Sequence, residues 1–141
     1  MKKFIFSMQK ILELREFEKK QAEQELGKAV AEETKIQNTL DLIAQQRIAS
    51  AQSVKGVTDL YVLVGAENHV KFLDSKTEEL LQQLTEAKLV TEQKREAMKK
   101  AMPNVSVLEK LRDARKAEWQ EEVKRAEAKE IDDSNNSRYK K

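Results

Sequence analysis

The amino-acid sequence predicts an all-α fold, an antiparallel hairpin in which two long helices pack as a coiled coil. Two heptad patterns of apolar residues, one on each side of a short break near residue 56, support this prediction. Apolar residues occupy 11 of 16 positions in the first pattern and 13 of 19 in the second. The 141 residues include only three Gly and one Pro, so few positions interrupt a helix.

The two patterns define the seams through which the helices are expected to touch. The first seam consists of Ile5, Met8, Leu12, Arg15, Lys19, Ala22, Leu26, Ala29, Glu33, Ile36, Leu40, Ile43, Arg47, Ser50, Val54 and Val57. The second seam consists of Leu63, Ala66, Val70, Leu73, Thr77, Leu80, Leu84, Ala87, Thr91, Lys94, Met98, Ala101, Val105, Leu108, Arg112, Arg115, Trp119, Glu122 and Ala126. A sustained repeat of about 3.5 residues predicts a rod of two paired helices.

Helix 1 is predicted over residues 3–56, which amounts to about 53 residues and roughly 80 Å at ~1.5 Å per residue. The turn is predicted over residues 56–60, because Gly56 suits the position after a helix end. Gly65 is an alternative position for the break. A connection this short requires the two helices to run antiparallel.

Helix 2 is predicted over residues 60–131, with Thr58 or Asp59 as its N-terminal cap. Pro103 predicts a kink, or a break at residues 102–106 followed by a restart at the capping box of residues 106–109. Residues 1–131 are therefore predicted to form one antiparallel coiled-coil unit.

The C-terminal end of helix 2 is expected to extend past the start of helix 1. Residues 132–141 are polar and charged, and they predict a disordered tail. Trp119 lies in the overhang, where it either fills the core or anchors a partner.

The charge pattern supports the antiparallel pairing. Residues 13–33 carry seven acidic and four basic side chains, whereas residues 94–116 carry eight basic and three acidic ones. Folding near residues 57–60 places much of one segment beside the other, and this complementarity favours one register.

Composition narrows the functional classes. The net charge of +2 is too small to indicate binding to nucleic acid or to an anionic membrane. The apolar run near the start ends at Gln9, short of the ~7–15 residues of a signal-peptide core, and no segment approaches the ~20 apolar residues of a membrane span. With no Cys, the sequence predicts a cytosolic protein.

No catalytic or metal-binding constellation is evident in the sequence. His69 stands alone, without a second ligand at helical spacing. A two-helix coiled coil also lacks a concave pocket that could desolvate a substrate. We therefore expect no enzymatic activity, no cofactor and no metal.

Two apolar stripes lie away from the seams on a helical wheel and are candidate contact surfaces. The N-terminal stripe consists of Phe6, Leu14 and Phe17, and the tip stripe consists of Tyr61, Val64 and Phe72. The alternative is that these side chains pack locally or against a second copy of the chain.

Residues 3–16, KFIFSMQKILELRE, resemble the opening of the bacterial flagellar FliJ family. Members of that family often begin with the pattern Phe-x-Phe-x-Leu-x-Lys-hydrophobic-Leu-x-hydrophobic-Arg. Residues 108–115, LEKLRDAR, are similar to a second recurrent stretch of that family. The resemblance covers essentially the whole chain. Two departures are Met8, which replaces a usual Leu, and Pro103, which interrupts a helix that is generally continuous.

This resemblance implies a non-enzymatic stalk in the flagellar type III export apparatus. The implied partners are the hexameric export ATPase, the cytosolic part of the membrane export gate and export chaperones, without nucleic acid and without direct membrane insertion. The implied location is the bacterial cytoplasm, peripherally at the inner membrane beneath the flagellum.

The resemblance also implies two contact sites. The residues assigned to the ATPase contact are Phe4, Phe6, Leu14, Arg15, Phe17, Glu109, Leu111 and Arg112. The residues assigned to the gate contact are Tyr61, Phe72 and Leu73. The alternative role of Glu109 is to cap a helix. The alternative role of Leu111 is to pack between the helices and so widen the seam.

Three other functions are compatible with the sequence. The same architecture would serve the stalk of a virulence-type III secretion system or a homodimeric coiled-coil scaffold with no ATPase partner. The excess of basic residues at 94–116 also suits a helical nucleic-acid binder, although aromatic residues for base stacking are missing there.

Overall fold

The protein folds into two α-helices that pack antiparallel, as seen in a computed structural model that describes residues 3–139. Helix α1 spans Gln9–Ser53 and helix α2 spans Leu60–Tyr139. The described residues contain no β-strand. The predicted fold class, an all-α two-helix hairpin, is confirmed.

The hairpin divides into two compact units, each of which contains part of both helices. Among the described residues, the terminal unit comprises residues 3–21 and 99–139, and the turn unit comprises residues 22–98.

Burial follows the two predicted seams closely. Every first-seam position from Leu12 to Ile43 is buried or half-buried, and so is every second-seam position from Leu63 to Arg112. Of the seam positions beyond Arg112, Trp119 is half-buried, whereas Arg115, Glu122 and Ala126 are exposed. The seam therefore ends where α1 runs out, as the predicted overhang requires.

Cross-helix ion pairs in the turn unit show the antiparallel register directly. Lys94 Nζ lies 2.8 Å from Glu25 Oε2, and Arg47 Nε lies 2.8 Å from Asp74 Oδ1. The Lys94–Glu25 pair joins the basic segment of α2 to the acidic segment of α1, as the charge pattern predicts. Arg47 is exposed although it occupies a seam position, because its guanidinium extends outward to Asp74.

The turn is built by one glycine and one aspartate. Gly56 has a φ of 76°, a left-handed conformation that residues with a Cβ rarely adopt. Asp59 Oδ1 accepts a hydrogen bond of 2.9 Å from the backbone N–H of Tyr61 and so caps the first turn of α2. Gly65 lies inside α2 and is not the break point.

Helix α2 continues through Pro103 without a break. The predicted restart at residues 106–109 is therefore not formed. Pro103 cannot donate to the helical ladder, but Ala101, Val105 and Leu108 keep their seam positions on either side of it. Burial of these side chains holds the segment helical in spite of the missing donor.

The ends of the helices differ from the sequence prediction. Helix α1 begins at Gln9 rather than near residue 3, and it ends at Ser53 rather than near residue 56. Residues 3–6 have no regular secondary structure, and Ser7 and Met8 form a turn before the helix. At the N-terminal end Phe4 and Phe6 pack against α2, and at the C-terminal end Gly56 adopts a left-handed φ, so the chain departs from the helical path at both ends of α1.

Helix α2 extends to Tyr139, eight residues beyond the expected end at 131. Residues 132–138 are exposed, and the segment contains no Gly or Pro that would stop the helical ladder. The final two residues of the predicted tail, Lys140 and Lys141, lie outside the described residues. Within residues 3–139, no helix combines the length and apolar character that crossing a bilayer requires.

Candidate partner-binding surfaces

An apolar cluster holds the terminal unit together. Phe6, Leu12, Val105 and Leu108 are buried in it, and Leu12 has no exposed surface at all. Phe4, Met8 and Leu111 are half-buried against its edge. We refer to these seven residues as the terminal cluster. It joins the N-terminal segment, α1 and α2 in one core.

Phe6 and Ile5 exchange the roles that the helical wheel assigns to them. Phe6 was expected on an exposed stripe but is 7% exposed, whereas Ile5 was expected in the seam but is 84% exposed. The reason is that α1 begins only at Gln9, so the phase of the helix does not apply to residues 5 and 6. Phe6 is a core residue, and the N-terminal stripe loses it as a surface contact.

The remainder of the N-terminal stripe is exposed as predicted. Leu14 and Phe17 point away from the terminal cluster, and Ile11 is exposed beside them at a spacing of three residues. We call Ile11, Leu14 and Phe17 the terminal patch. Ile11 was not singled out from the sequence, although its spacing of three residues from Leu14 places it on a neighbouring part of the helix surface.

Phe4 and Trp119 pack against each other, with ring centroids 5.9 Å apart and planes inclined by 48°. Such a tilted arrangement is favourable for aromatic rings. Trp119 is half-buried, so in the overhang of α2 it fills the edge of the core. Of the two alternatives for Trp119, the structure places it against Phe4.

The charged residues assigned to the ATPase contact make local ion pairs. Arg15 lies 3.0 Å from Glu18, and Arg112 Nε lies 3.7 Å from Asp113 Oδ1. Glu109 is half-buried at an open groove beside Pro103, which Lys19 also lines. Leu111 packs on the terminal cluster and so widens the seam. These residues frame the core of the terminal unit rather than the terminal patch.

A second exposed patch lies at the start of α2 in the turn unit. Tyr61 is 90% exposed, and Leu60, Val62 and Val64 are exposed around it, as is Phe72 two to three turns further on. We call Leu60, Tyr61, Val62, Val64 and Phe72 the tip patch. Leu60 and Val62 were not singled out from the sequence, because a single helical stripe does not include consecutive residues.

Leu73 does not belong to this surface. It is 2% exposed and occupies its seam position in the core of the turn unit. Its assignment to the gate contact is therefore corrected, since the side chain has no surface to offer a partner in this structure. Its neighbour Phe72 points outward because adjacent residues on a helix differ by about 100°.

One carboxylate has a perturbed pKa. The pKa of Glu25 is lowered because its side chain accepts a hydrogen bond from Lys94 and because the Lys94 charge lies close, with a smaller contribution from Lys28. Glu25 is exposed, so the pair reports the register of the two helices more than it stabilises them.

Within residues 3–139, no group of three or more His, Cys, Asp or Glu side chains is arranged to hold a metal ion. His69, the lone histidine of the sequence, is exposed on α2. The surfaces available to this chain are thus apolar patches and charged helix faces, which suit contact with other macromolecules.

Comparison with known proteins identifies the family. No curated protein and no solved structure matches the chain. A family model described as flagellar FliJ protein matches residues 4–141, which is nearly the whole chain. This match includes both stretches that carry the resemblance, residues 4–16 and 108–115, and the chain therefore belongs to the flagellar FliJ protein family.

Proposed function

We propose that this chain is a non-enzymatic, stalk-like component of the flagellar export apparatus, which promotes assembly and activity of the export ATPase ring and links that ring to the membrane export gate. Export chaperones are proposed as further partners. Membership of the family implies a component of this apparatus. The observation that carries the finer proposal is the presence of a separate exposed apolar patch in each unit of the hairpin.

The terminal patch is the proposed contact with the ATPase. Ile11 and Leu14 lie within the stretch that carries the family resemblance, and Phe17 directly follows it. The core beneath these three side chains is complete without them. Large apolar side chains exposed on a surface otherwise rich in charge are typical of protein contacts. Arg15 and Arg112, which flank the core of the terminal unit rather than the patch, are proposed as further charged contacts with the same partner.

The tip patch is the proposed contact with the gate. Tyr61 and Phe72 are the aromatic members of this patch, and aromatic side chains are enriched among the residues that dominate binding energy. The cytoplasmic location at the flagellar base, peripheral to the inner membrane, belongs to the same proposal.

The proposal of a non-enzymatic role is supported by the shape of the grooves between the helices. The grooves beside Pro103 and along Val30 and Leu84 are shallow and open to water. Catalysis generally requires a concave site from which water is excluded. A helical hairpin instead provides surface for assembly.

The direct test is ATP hydrolysis by the export ATPase of the same organism, titrated with the purified chain while electron microscopy follows ring formation. We expect faster turnover and more rings. Two variants locate the contact. The double variant Leu14→Ala with Phe17→Ala should abolish most of the stimulation. The control Leu42→Ala, which also replaces an exposed leucine on α1, should not. Absence of stimulation by the unaltered chain would contradict the proposal.

A homodimeric scaffold is the alternative that the same patches allow. Sedimentation equilibrium separates the two functions. A dimer that dissociates when Leu14 and Phe17 are replaced by Ala would show that the terminal patch is covered by a second copy. A monomer over the same concentration range would favour the ATPase contact.

A further inference from the structure

The segment before α1 crosses to α2 as a short non-helical strap. We call residues 3–8 the N-terminal strap. Two aromatic side chains attach it to α2: Phe4 lies on Trp119, and Phe6 is buried beside Val105 and Leu108. Between them Ile5 is almost fully exposed. Met8, the last residue of the strap, is half-buried at the edge of the same cluster. The attachment therefore consists of three side chains.

The backbone of the strap contributes little to this attachment. Its hydrogen bonds run to the first turn of α1, where the Phe6 carbonyl accepts from Gln9 N–H at 3.1 Å and the Met8 carbonyl accepts from Leu12 N–H at 2.9 Å. In the part of the chain that the structure describes, no backbone hydrogen bond joins the strap to α2. A segment held by few contacts and no ladder opens locally before the helices separate.

Opening of the strap would uncover an apolar surface on α2. Trp119 would lose the ring that covers it, and Val105 and Leu108 would lose Phe6. Leu111, at the edge of the same cluster, would be exposed further. The uncovered surface of α2 would carry the Trp119 ring, with Arg115, Glu118 and Glu122 around it, and the aliphatic cluster of Val105, Leu108 and Leu111. Aromatic and aliphatic side chains of another helix would fit such a surface, with charged groups at its edge.

We propose that the N-terminal strap is autoinhibitory: when closed it covers Trp119, Val105 and Leu108 of α2, and it opens as a local unit so that an apolar helix of the ATPase partner can take its place. The identity of that partner rests on the proposed function. The opening itself does not, and it is measurable on the isolated chain.

Opening can be followed without any substitution, because Trp119 is the single tryptophan of the sequence. Urea unfolding of the full chain is monitored by Trp119 fluorescence and by far-UV circular dichroism. We expect the fluorescence transition at lower urea than the loss of helicity, since two probes diverge when a local step precedes global unfolding. Coincident transitions would overturn the proposal.

Two neighbouring substitutions assign the early transition to the strap. Phe4→Ala should shift Trp119 emission to the red in water and remove the early transition, with helicity unchanged. Ile5→Ala is the matched control, because Ile5 is 84% exposed and should leave both signals as they are. An early transition that persists in Phe4→Ala would come from fraying of the overhang and would overturn the proposal.

The direction in which Phe4→Ala changes ATPase stimulation distinguishes inhibition by the strap from direct contact between the strap and the ATPase. If the strap is closed about nine-tenths of the time, Phe4→Ala should lower the half-maximal concentration for ATPase stimulation by up to about tenfold. A higher half-maximal concentration would make the strap part of the contact and overturn autoinhibition. If the unaltered chain does not stimulate at all, the proposed function fails, while the fluorescence comparison still decides whether the strap opens.

Discussion

Leu12 and Leu14 are two residues apart on α1 and have opposite surroundings. Leu12 is completely buried among Phe6, Val105 and Leu108, whereas Leu14 is exposed in the terminal patch. Removing a buried leucine side chain loses its transfer free energy and leaves a cavity.

We therefore expect Leu12→Ala to lower the free energy of unfolding by about 2–5 kcal/mol. Leu14→Ala should change it by no more than about 0.5 kcal/mol. Urea unfolding followed by circular dichroism measures both. Equal losses in the two variants would mean that the terminal cluster is not packed as described.

Glu25 and Lys94 give a prediction that depends on pH. The hydrogen bond and the charge of Lys94 lower the pKa of Glu25, so the ionised carboxylate is favoured in the folded state. The contribution of the pair is complete above the ordinary pKa of 4.5 and is lost as the pH falls through the lower pKa of the folded state.

An NMR titration of the Glu25 side chain should give a midpoint below 4.5 in the unaltered chain. In Lys94→Gln the midpoint should rise towards the ordinary value. Lys28→Gln, which removes the smaller of the two influences, is the control and should move it less. A midpoint that does not respond to Lys94→Gln would show that the two helices are not paired in this register.

At the scale of the secondary-structure elements, Pro103 is an unfavourable residue in the interior of α2. An interior proline removes one backbone donor and crowds the preceding turn, at a cost of about 3 kcal/mol relative to alanine. Helix α2 nevertheless continues, because Ala101, Val105 and Leu108 remain in the seam.

Pro103→Ala should therefore stabilise the chain, by up to about 3 kcal/mol if the helix needs no rearrangement to accept the new N–H. The urea midpoint and Tm both report the change. Met102→Ala, at an exposed neighbouring position, is the control and should have little effect. Loss of stability in Pro103→Ala would indicate that the proline ring itself contributes packing that the terminal unit requires.

The heptad patterns predicted the two helices and their pairing because seam burial dominates the energetics of a helical hairpin. Even Thr91, a polar seam residue, is buried, and its hydroxyl donates to the Ala87 carbonyl within the helix. The start of α1 could not be predicted in the same way. Residues 3–8 continue the heptad pattern, but Phe6 reaches the core only by leaving the helical path.

At the scale of the whole molecule, exposure was predictable wherever the helical phase was known. Leu14, Phe17, Tyr61 and Phe72 are exposed as expected, since each lies away from a seam on a continuous helix. Leu73 was assigned to a contact despite its own seam position, and its burial shows that the seam prediction was the stronger one. Burial does not identify the partners, because an exposed apolar patch does not specify which protein binds it.

The two patches make a prediction for the complete chain: they should be separable by mutation. Leu14→Ala with Phe17→Ala should reduce ATPase stimulation at least about tenfold and leave binding to the export gate unchanged. Tyr61→Ala with Phe72→Ala should do the reverse. The physical basis is that all four side chains are exposed and lie in different units, so neither pair contributes to the core of the other. Truncating two anchors that each cost about 1–2 kcal/mol weakens a contact by about one and a half to three orders of magnitude.

Stimulated ATP hydrolysis measures the first contact, and calorimetric titration with the purified cytosolic part of the gate measures the second. Circular dichroism must show the same helicity for both double variants, since exposed positions contribute little to folding. If each variant loses both contacts, the patches do not act as separate surfaces. If the terminal variant keeps full stimulation, the ATPase contact lies elsewhere in the terminal unit, and the surface beneath the N-terminal strap becomes the place to look for it.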